Sequence, residues 1–540
     1  MKNKIILLVI IIFGFFLRFY QLGDNPAGLD WDEASLGYNA YSILKTGRDE
    51  YGNFLPFSFR SFDDYKPPVY VYLTVPSVAI FGLNNFSVRF PSALLGSITV
   101  FITYFLVMEL AKKYEHKEKL SLLTAFLLAI SPWHLQFSRV AFEANVGLFL
   151  FITGTLFFLK GLNKGYFYIL SSIFYVLSLY TYHSNRVVVP VFAMGFLLYF
   201  RQEIWKLKKW FIISLIIGFI GLIPLIKIFF FSPSGAARFG AVSVFTSSGI
   251  IDESINKINN DDKLNLPFSE IVHNRRLYFL RYSLENYLDH FNPIFWFING
   301  DAKGEVDVSG RHRAMGMGVL YWWEAPFLLA GIYFLIKNKF NNKFIIFWWF
   351  LTAPLAAAIT TGNPHAVRSL LFLPIFQIFT AYGVIRVFGG FRVFRGIKQK
   401  LLIVAITGFA IFNFIYYLDS YYLHTPWVWS QWWQYGYRQV AEYAKQNENK
   451  YDKIIVTNTY DQPHIFFLFY QKIDPAWYQT SEGSHYGYGK YEFRRIDINK
   501  DREIKNALLI GSPAEITEAG KYEVNFLDGS IAFRAVETSR

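Results

Sequence analysis

The 540-residue chain has no cysteine, so disulfides and thiolate metal sites are excluded at once. Charge is scarce: Asp, Glu, Lys and Arg make up 17%, against 53% hydrophobic and 20% aromatic residues. That balance is too apolar for a string of soluble domains. The first apolar run, "KIILLVIIIFGFFL", has no small-residue cleavage site after it and continues into "LRFYQLGDNP". It reads as an uncleaved first span, with Arg18 snorkelling at the far end. No repeat of about 20–50 residues and no low-complexity linker is present.

What the chain does have is long uncharged stretches, among them "FIISLIIGFIGLIPLIKIFFF" and "LLIVAITGFAIFNFIYYL". These are about the length needed to cross a hydrocarbon core of roughly 30 Å. They imply a polytopic α-helical membrane protein, with about 11 transmembrane helices at 5–20, 86–111, 119–134, 144–160, 165–181, 187–200, 210–231, 320–337, 344–360, 366–386 and 401–418. The piece "VYVYLTVPSVAIFG", which contains Pro76, is expected to be an interfacial helix. Counted alternately, one set of loops is short and basic: "MKNK", "KKYEHKEK", "KGLNKG", "RQEIWKLKK", "KNKFNNK" and "RVFGGFRVFRGIKQK". The other set holds every long loop, 21–85 and 232–319, together with the tail. Basic loops stay in the cytoplasm, so the N-terminus is expected there and the long loops and tail outside. The net charge of +13 then reports orientation, not nucleic-acid binding.

The tail, 419–540, changes character. "KYDKIIVTNTY" reads as a strand and "PHIFFLFYQKI" as a short helix. "YEVNFLDGSIAFRAV" has two alternating runs around Asp528-Gly529, a hairpin signal. A small extracytoplasmic α/β domain is expected after a transmembrane domain covering 1–418.

The outward turns are rich in ionisable groups: "LDWDEASLGYNAY", "FDDYKPPVYVYL", "SPWHLQFSRVAFEANVG", "YTYHSNRVVVP" and "TTGNPHAVRSLLFLP". Such groups are costly near a membrane unless they pair or perform chemistry. Each also has a structural reading. Asp30 suits a helix cap, and Arg139 with Glu143 a helix pair. Arg186 and Arg368 suit snorkelling anchors, His183 and His365 interfacial fillers, and Lys66 an ordinary loop cation. Their joint occurrence on one face supports more. Arginines and a lysine at headgroup level suit a lipid-borne phosphate, and a carboxylate opposite them can take a proton from an incoming hydroxyl or amine. That combination describes glycosyl transfer from a polyprenyl-phosphate sugar, with the cations stabilising the departing phosphate.

These motifs resemble the GT-C fold glycosyltransferases of the protein O-mannosyltransferase and aminoarabinose transferase group, glycosyltransferase family 39. The resemblance implies Asp32 of "WDEASLGYNAY" as the catalytic acid or base, with Glu33 beside it and Glu143 of "SRVAFEANV" as the second acidic motif. Lys66 of "DYKPPVYVYL" would contact the donor phosphate, with Arg139, Arg186 and Arg368 as further donor ligands. Asp64, Tyr65, His183 and His365 are candidate substrate contacts. Tyr65 stands where aminoarabinose transferases place a Glu, with Asp63 and Asp64 upstream, so no cofactor is assigned and a divalent metal is left open. The implied partners are a polyprenyl-phosphate sugar, the lipid bilayer, and a protein, glycolipid or cell-wall glycan acceptor; no nucleic acid is expected. In the loop 232–319, a candidate lid, His312 or Arg313 could enter the site, with the surface favoured for both. "YWWEAPF" and "SQWWQYGYRQ" are expected to be interfacial aromatic anchors. The alternative reading is a transporter or flippase of lipid-linked sugars. Against it stand an odd span number, unmatched halves and polar groups gathered at one face.

Overall fold

The computed structural model describes residues 1–539 apart from 63, 232–239, 241, 302–307, 391–396 and 482. Asp63 and part of the basic stretch before 397 therefore lie outside the described residues, as does part of the long loop 232–319. Helices dominate. The first nine are α1 (Lys2–Phe19), α2 (Trp31–Thr46), α3 (Pro68–Phe81), α4 (Asn85–Leu110), α5 (Lys117–Ile130), α6 (Pro132–Ser138), α7 (Glu143–Gly161), α8 (Phe167–Leu179) and α9 (Asn185–Tyr199).

Among the described residues five helical stretches are long and apolar enough to cross a membrane on their own: Asn85–Leu110, Glu143–Gly161, Lys208–Phe231, Leu370–Gly389 and Lys400–Trp433. The pair α5 and α6, bent by 58°, makes a sixth if counted as one span. Further apolar helices, including α8, α9 and Lys343–Ala358, are shorter. Length alone thus falls below the expected eleven. Polar turns such as "YTYHSN", and prolines inside the apolar runs, shorten the uninterrupted helices.

The chain divides into two compact units. The first comprises Met1–Leu17, Leu95–Phe137 and Glu143–Tyr417. Its helices approach closely where side chains are missing. A Cβ on Gly331, in helix Glu324–Lys337, would stand 1.9 Å from the Phe379 carbonyl oxygen. A Cβ on Gly383, in helix Ile375–Gly390, would stand 1.9 Å from the Phe327 carbonyl oxygen. The two glycines let one backbone lie against the other, the usual device for helix association where no hydrophobic effect drives it.

The second unit comprises Arg18–Leu94, Ser138–Phe142 and Leu418–Arg540. The expected strand, helix and hairpin of the tail all form, as Lys453–Val456, Pro463–Gln471 and the antiparallel pair Tyr522–Asn525 with Ile531–Glu537. A two-stranded sheet pairs β1 (Phe59–Ser61) with β2 (Asp64–Lys66), and a six-stranded sheet runs in the order β4 (Gly487–Tyr488), β5 (Tyr491–Phe493), β3 (Lys453–Val456), β6 (Ala507–Gly511), β8 (Ile531–Glu537), β7 (Tyr522–Asn525). In the larger sheet β3 (Lys453–Val456) lies parallel to β5 (Tyr491–Phe493) and β6 (Ala507–Gly511). Ile455, Ala507, Leu509, Ile516 and Val536 form a buried core on it.

The tail does not stand alone at a 418/419 boundary, because the first loop packs into it. Gly37 of α2 lies so close to helix Pro463–Gln471 that a Cβ would reach within 2.6 Å of the Phe469 ring. The Gln479 amide donates to Ser42 Oγ at 2.9 Å, Thr46 Oγ1 at 3.0 Å and the Asp49 carbonyl at 2.8 Å. Two expectations change. Arg18 is wholly buried in protein and does not snorkel to water, and Trp433, expected as an interfacial anchor, is 1% exposed. Trp433 is held inside because its carbonyl abuts Gly28 and its ring faces Arg89 at 5.9 Å.

Replacing Gly331 with valine is expected to cost at least about 3 kcal/mol, the upper end for overpacking, because the neighbour is unyielding backbone. Thermal unfolding of the detergent-solubilised protein checks this; an unchanged Tm would contradict the close crossing.

Candidate active site

The stretch "GLDWDEASLGYNAY" folds as the start of α2. Asp30 is its N-cap: the side chain accepts from Glu33 N at 2.8 Å, and Glu33 Oε2 accepts from Asp30 N at 3.4 Å, completing a capping box. The capping reading of Asp30 thus holds. Successive helical residues are rotated by about 100°, so neighbours in sequence face different surroundings. Glu33 turns inward and Asp32 does not.

Glu33 is fully buried. Arg89 Nε donates to its Oε1 and Arg89 Nη2 to its Oε2, each at 2.9 Å, and Ala141 N donates to Oε1 at 2.8 Å. Arg89, equally buried, also donates to the carbonyls of Leu22 at 3.3 Å and Pro26 at 2.9 Å, and to that of Gly28. Glu33, expected among the catalytic acids, is therefore committed to holding the backbone around α2. With both oxygens spoken for, it has no lone pair directed at a substrate. Arg89 was not singled out from sequence. Its one signal was a single arginine in the otherwise uncharged start of α4, "NFSVRFPSALLG".

Asp32 differs. Its side chain is 26% exposed and its Oδ1 lies 2.9 Å from Lys66 Nζ, itself 14% exposed. Lys66 ends β2 opposite Phe59, and Pro67-Pro68 then open α3 with proline in its first turn. The fixed φ of the prolines and the hairpin register hold the lysine stem in place. The same hairpin sets Asp64 opposite Ser61 and Tyr65 opposite Arg60, and Asp64 Oδ1 accepts from Tyr65 N at 2.8 Å. The sequence-predicted pair Asp32 and Lys66 is thus brought into contact, reachable from outside.

Arg139, expected as a phosphate ligand, is 1% exposed. Its Nε donates to Tyr421 Oη at 3.1 Å and its Nη2 to the Asn25 carbonyl at 3.1 Å, and its guanidinium lies 5.3 and 5.1 Å from the rings of Tyr421 and Tyr422. This arginine braces residues 25 and 421–422.

A second buried carboxyl shapes the first loop. Glu50 N donates to Asn39 Oδ1 at 3.0 Å, and Asn39 Nδ2 donates to Glu50 Oε1 at 3.3 Å. Burial pushes the Glu50 carboxyl up to about 8, against the pull of the Asn39 hydrogen bond.

In the other unit, Glu143 opens α7 and is 5% exposed. Arg186 joins the end of α8 to the start of α9, donating from Nε to the Leu179 carbonyl at 3.1 Å, with Nη1 3.0 Å from His183 Nδ1. Arg368 donates from Nη1 to Thr360 Oγ1 and to the Thr361 carbonyl, each at 2.7 Å. His365 is drawn elsewhere. Its backbone N donates to His290 Nε2 at 3.2 Å, and its ring lies 5.1 Å from that of His312. His312 is not the surface residue expected: its side chain is 11% exposed and its Nδ1 lies 2.7 Å from Asp301 Oδ2. Burial holds His290 down to about 4, so it is neutral at physiological pH. Its Nδ1–H donates to the Asn286 carbonyl, leaving Nε2 as the acceptor.

Residues 65–227 match the family described as dolichyl-phosphate-mannose-protein mannosyltransferase. The chain has the fold of GT-C membrane glycosyltransferases. The matched segment carries Lys66, Arg139, Glu143 and Arg186, while Asp32 precedes it. The fold is similar to that of the archaeal oligosaccharyltransferase AglB from Archaeoglobus fulgidus in complex with an inhibitory peptide and a dolichol-phosphate. The TM-score is 0.54 at 13% identity, covering 98% of this chain and 74% of that one. ArnT from Cupriavidus metallidurans is similar both in the apo state and bound to undecaprenyl phosphate, each with a TM-score of 0.54 at 12% identity over 98% of this chain and 97% of ArnT. No curated protein sequence matches the chain.

Two outcomes are expected. Arg89→Ala leaves the Glu33 carboxylate buried and uncompensated and should destabilise the protein by about 3–5 kcal/mol, whereas Lys66→Ala, removing a partly exposed pair, should cost about 1 kcal/mol or less. Thermal unfolding of both variants in detergent checks the difference. The second concerns pH. Because the folded carboxyl of Glu50 titrates near 8 and an exposed one near 4.5, its contribution is complete below pH 4.5 and is lost as pH rises through 8. Glu50→Gln should flatten that part of the stability profile, measured as Tm across the same range.

Proposed function

We propose that the chain transfers a sugar from a polyprenyl-phosphate donor to a hydroxyl or amine acceptor at the extracytoplasmic membrane face, with Asp32 as general base. The observation that carries this reading is the Asp32–Lys66 pair, 2.9 Å apart and partly open to solvent, beside a Glu33 that is sealed away. Asp32, partly open and paired with a lysine, is therefore the carboxylate of the "WDE" motif assigned to the chemistry.

The pairing suggests an order of events. In the absence of donor, Lys66 neutralises Asp32 and keeps it a poor base. The donor's phosphodiester, an anion like the carboxylate, competes for the ammonium and frees the Asp32 oxygen, and its charge grows as the sugar departs. Asp32 then takes the acceptor proton as the acceptor oxygen or nitrogen attacks the anomeric carbon. The bond from that carbon to the phosphate oxygen breaks, and the charge developing on the phosphate falls on Lys66. A single displacement of this kind inverts the anomeric configuration. Arg186 and Arg368, each at an expected outward turn, are assigned as further phosphate ligands, and Glu143 as a second acid. The unequal distribution of Lys and Arg between short and long loops supports a cytoplasmic N-terminus and an outward-facing C-terminal domain. Undecaprenyl phosphate bound to ArnT, and dolichol-phosphate in the AglB complex, support the donor class.

Asp32→Asn should lower transfer by about 10²–10⁴-fold, the usual contribution of a positioned base, with Tm nearly unchanged. The measurement is consumption of a labelled polyprenyl-phosphate sugar by purified protein with membrane extract as acceptor source. Transfer at the unaltered rate by this variant would rule out Asp32 as base. Movement of the lipid across vesicles without consumption would favour a transporter.

A further inference from the structure

We infer that Asp301, His312 and His365 form a binding site for one divalent transition-metal cation of the zinc type. Each offers a ligand atom, and these atoms all lie within 4.8 Å of one another. Four-coordinate zinc with bonds of about 2.0–2.1 Å holds its donors some 3.3 Å apart. The cluster therefore needs to close by at most about 1.5 Å, within reach of side-chain rotation. Two imidazoles and one carboxylate are a donor set that zinc accepts, and three protein ligands leave a fourth position for water or a substrate oxygen.

Three further features favour an ion over a simple Asp–His pair. Asp301 Oδ1 is buried and has no hydrogen-bond partner among the described residues, a costly state for a carboxylate oxygen that a cation would relieve. The Asp301 and His312 side chains are 5% and 11% exposed, so water competes weakly. The ligands also have outer support of the kind that orients metal-binding side chains. Ala366 N donates to Asp301 Oδ2 at 3.2 Å, His365 N donates to His290 Nε2 at 3.2 Å, and Trp133 Nε1 donates to the Ala366 carbonyl at 3.1 Å. Gln136 Nε2 holds the Arg311 carbonyl, next to His312, at 2.8 Å.

The ligands come from two segments far apart in sequence, 301–312 and 365. A bound ion would cross-link the long outward loop to the turn that carries Arg368, three residues beyond His365. On binding, Asp301 presents Oδ1 to the metal, and His312 Nδ1 exchanges its contact with Asp301 Oδ2 for a bond to the ion; any proton held in that contact is released to solvent. The site lies wholly in the first compact unit, and its assignment does not depend on Asp32 being the base.

The test uses full-length protein in detergent, with any histidine tag removed, stripped with a chelator and dialysed against Zn²⁺ or Co²⁺. The expected results are one zinc per chain by elemental analysis, a visible cobalt spectrum of the tetrahedral or five-coordinate type, and a higher Tm with zinc. His312→Gln and His365→Gln should each weaken binding by at least roughly 100-fold. His424→Gln, at an exposed histidine paired with Asp419, should leave it unchanged. If the unaltered protein retains no zinc and gives no cobalt spectrum, the proposal is wrong whatever the variants do. Equal zinc retention by the two ligand variants would overturn it as well. Should either variant fail to fold, the cobalt spectrum and zinc-dependent Tm of the unaltered protein still decide.

Discussion

The buried ion pair of Glu33 and Arg89 is the constraint on which the second compact unit depends. Neither charge could remain out of water alone. Together they are nearly saturated, with Glu33 accepting from Arg89, Ala141 N and Asp30 N, and Arg89 donating to three carbonyls between residues 22 and 28. Such a pair contributes little net stability compared with apolar packing, but it tolerates one arrangement only, since removing either member strands a charge. It ties the chain entering α2, the first turns of α2 and α4, and the 138–142 segment into a single geometry.

That geometry decides the chemistry available to adjacent acids. Asp30, Asp32 and Glu33 are nearly indistinguishable as residue types, yet the helix divides them among three tasks. Asp30 caps, Glu33 anchors, and Asp32 meets Lys66 at a partly open surface. The lysine is delivered by a two-stranded hairpin and stiffened by the prolines after it, so the pair is assembled by local rules that need few distant contacts.

In the first unit, charge is managed differently. Arg186 and Arg368 are each braced by carbonyls of their own turns, which fixes the guanidinium base and leaves the planar fork directed by local backbone. His290, kept neutral by burial, serves as an acceptor for the His365 backbone and so helps seat the turn beside Asp301 and His312.

Composition and local pattern were enough to settle several features from the sequence alone. Apolar runs required membrane helices, Asp30 ahead of "EASLGYNAYSIL" supplied the cap, and Asp528-Gly529 supplied the hairpin. These are near-neighbour effects, legible because their physics acts within a few residues. Only the tertiary structure decided which of two consecutive carboxylates is sealed against an arginine. It also decided that Arg139 braces tyrosines near 421, that Trp433 is internal, that the first loop belongs with the tail, and that His312 and His365 lie beside Asp301. Each of those outcomes rests on partners tens to hundreds of residues away. A buried charge chooses its partner by proximity in the folded chain, which residue type and spacing do not encode.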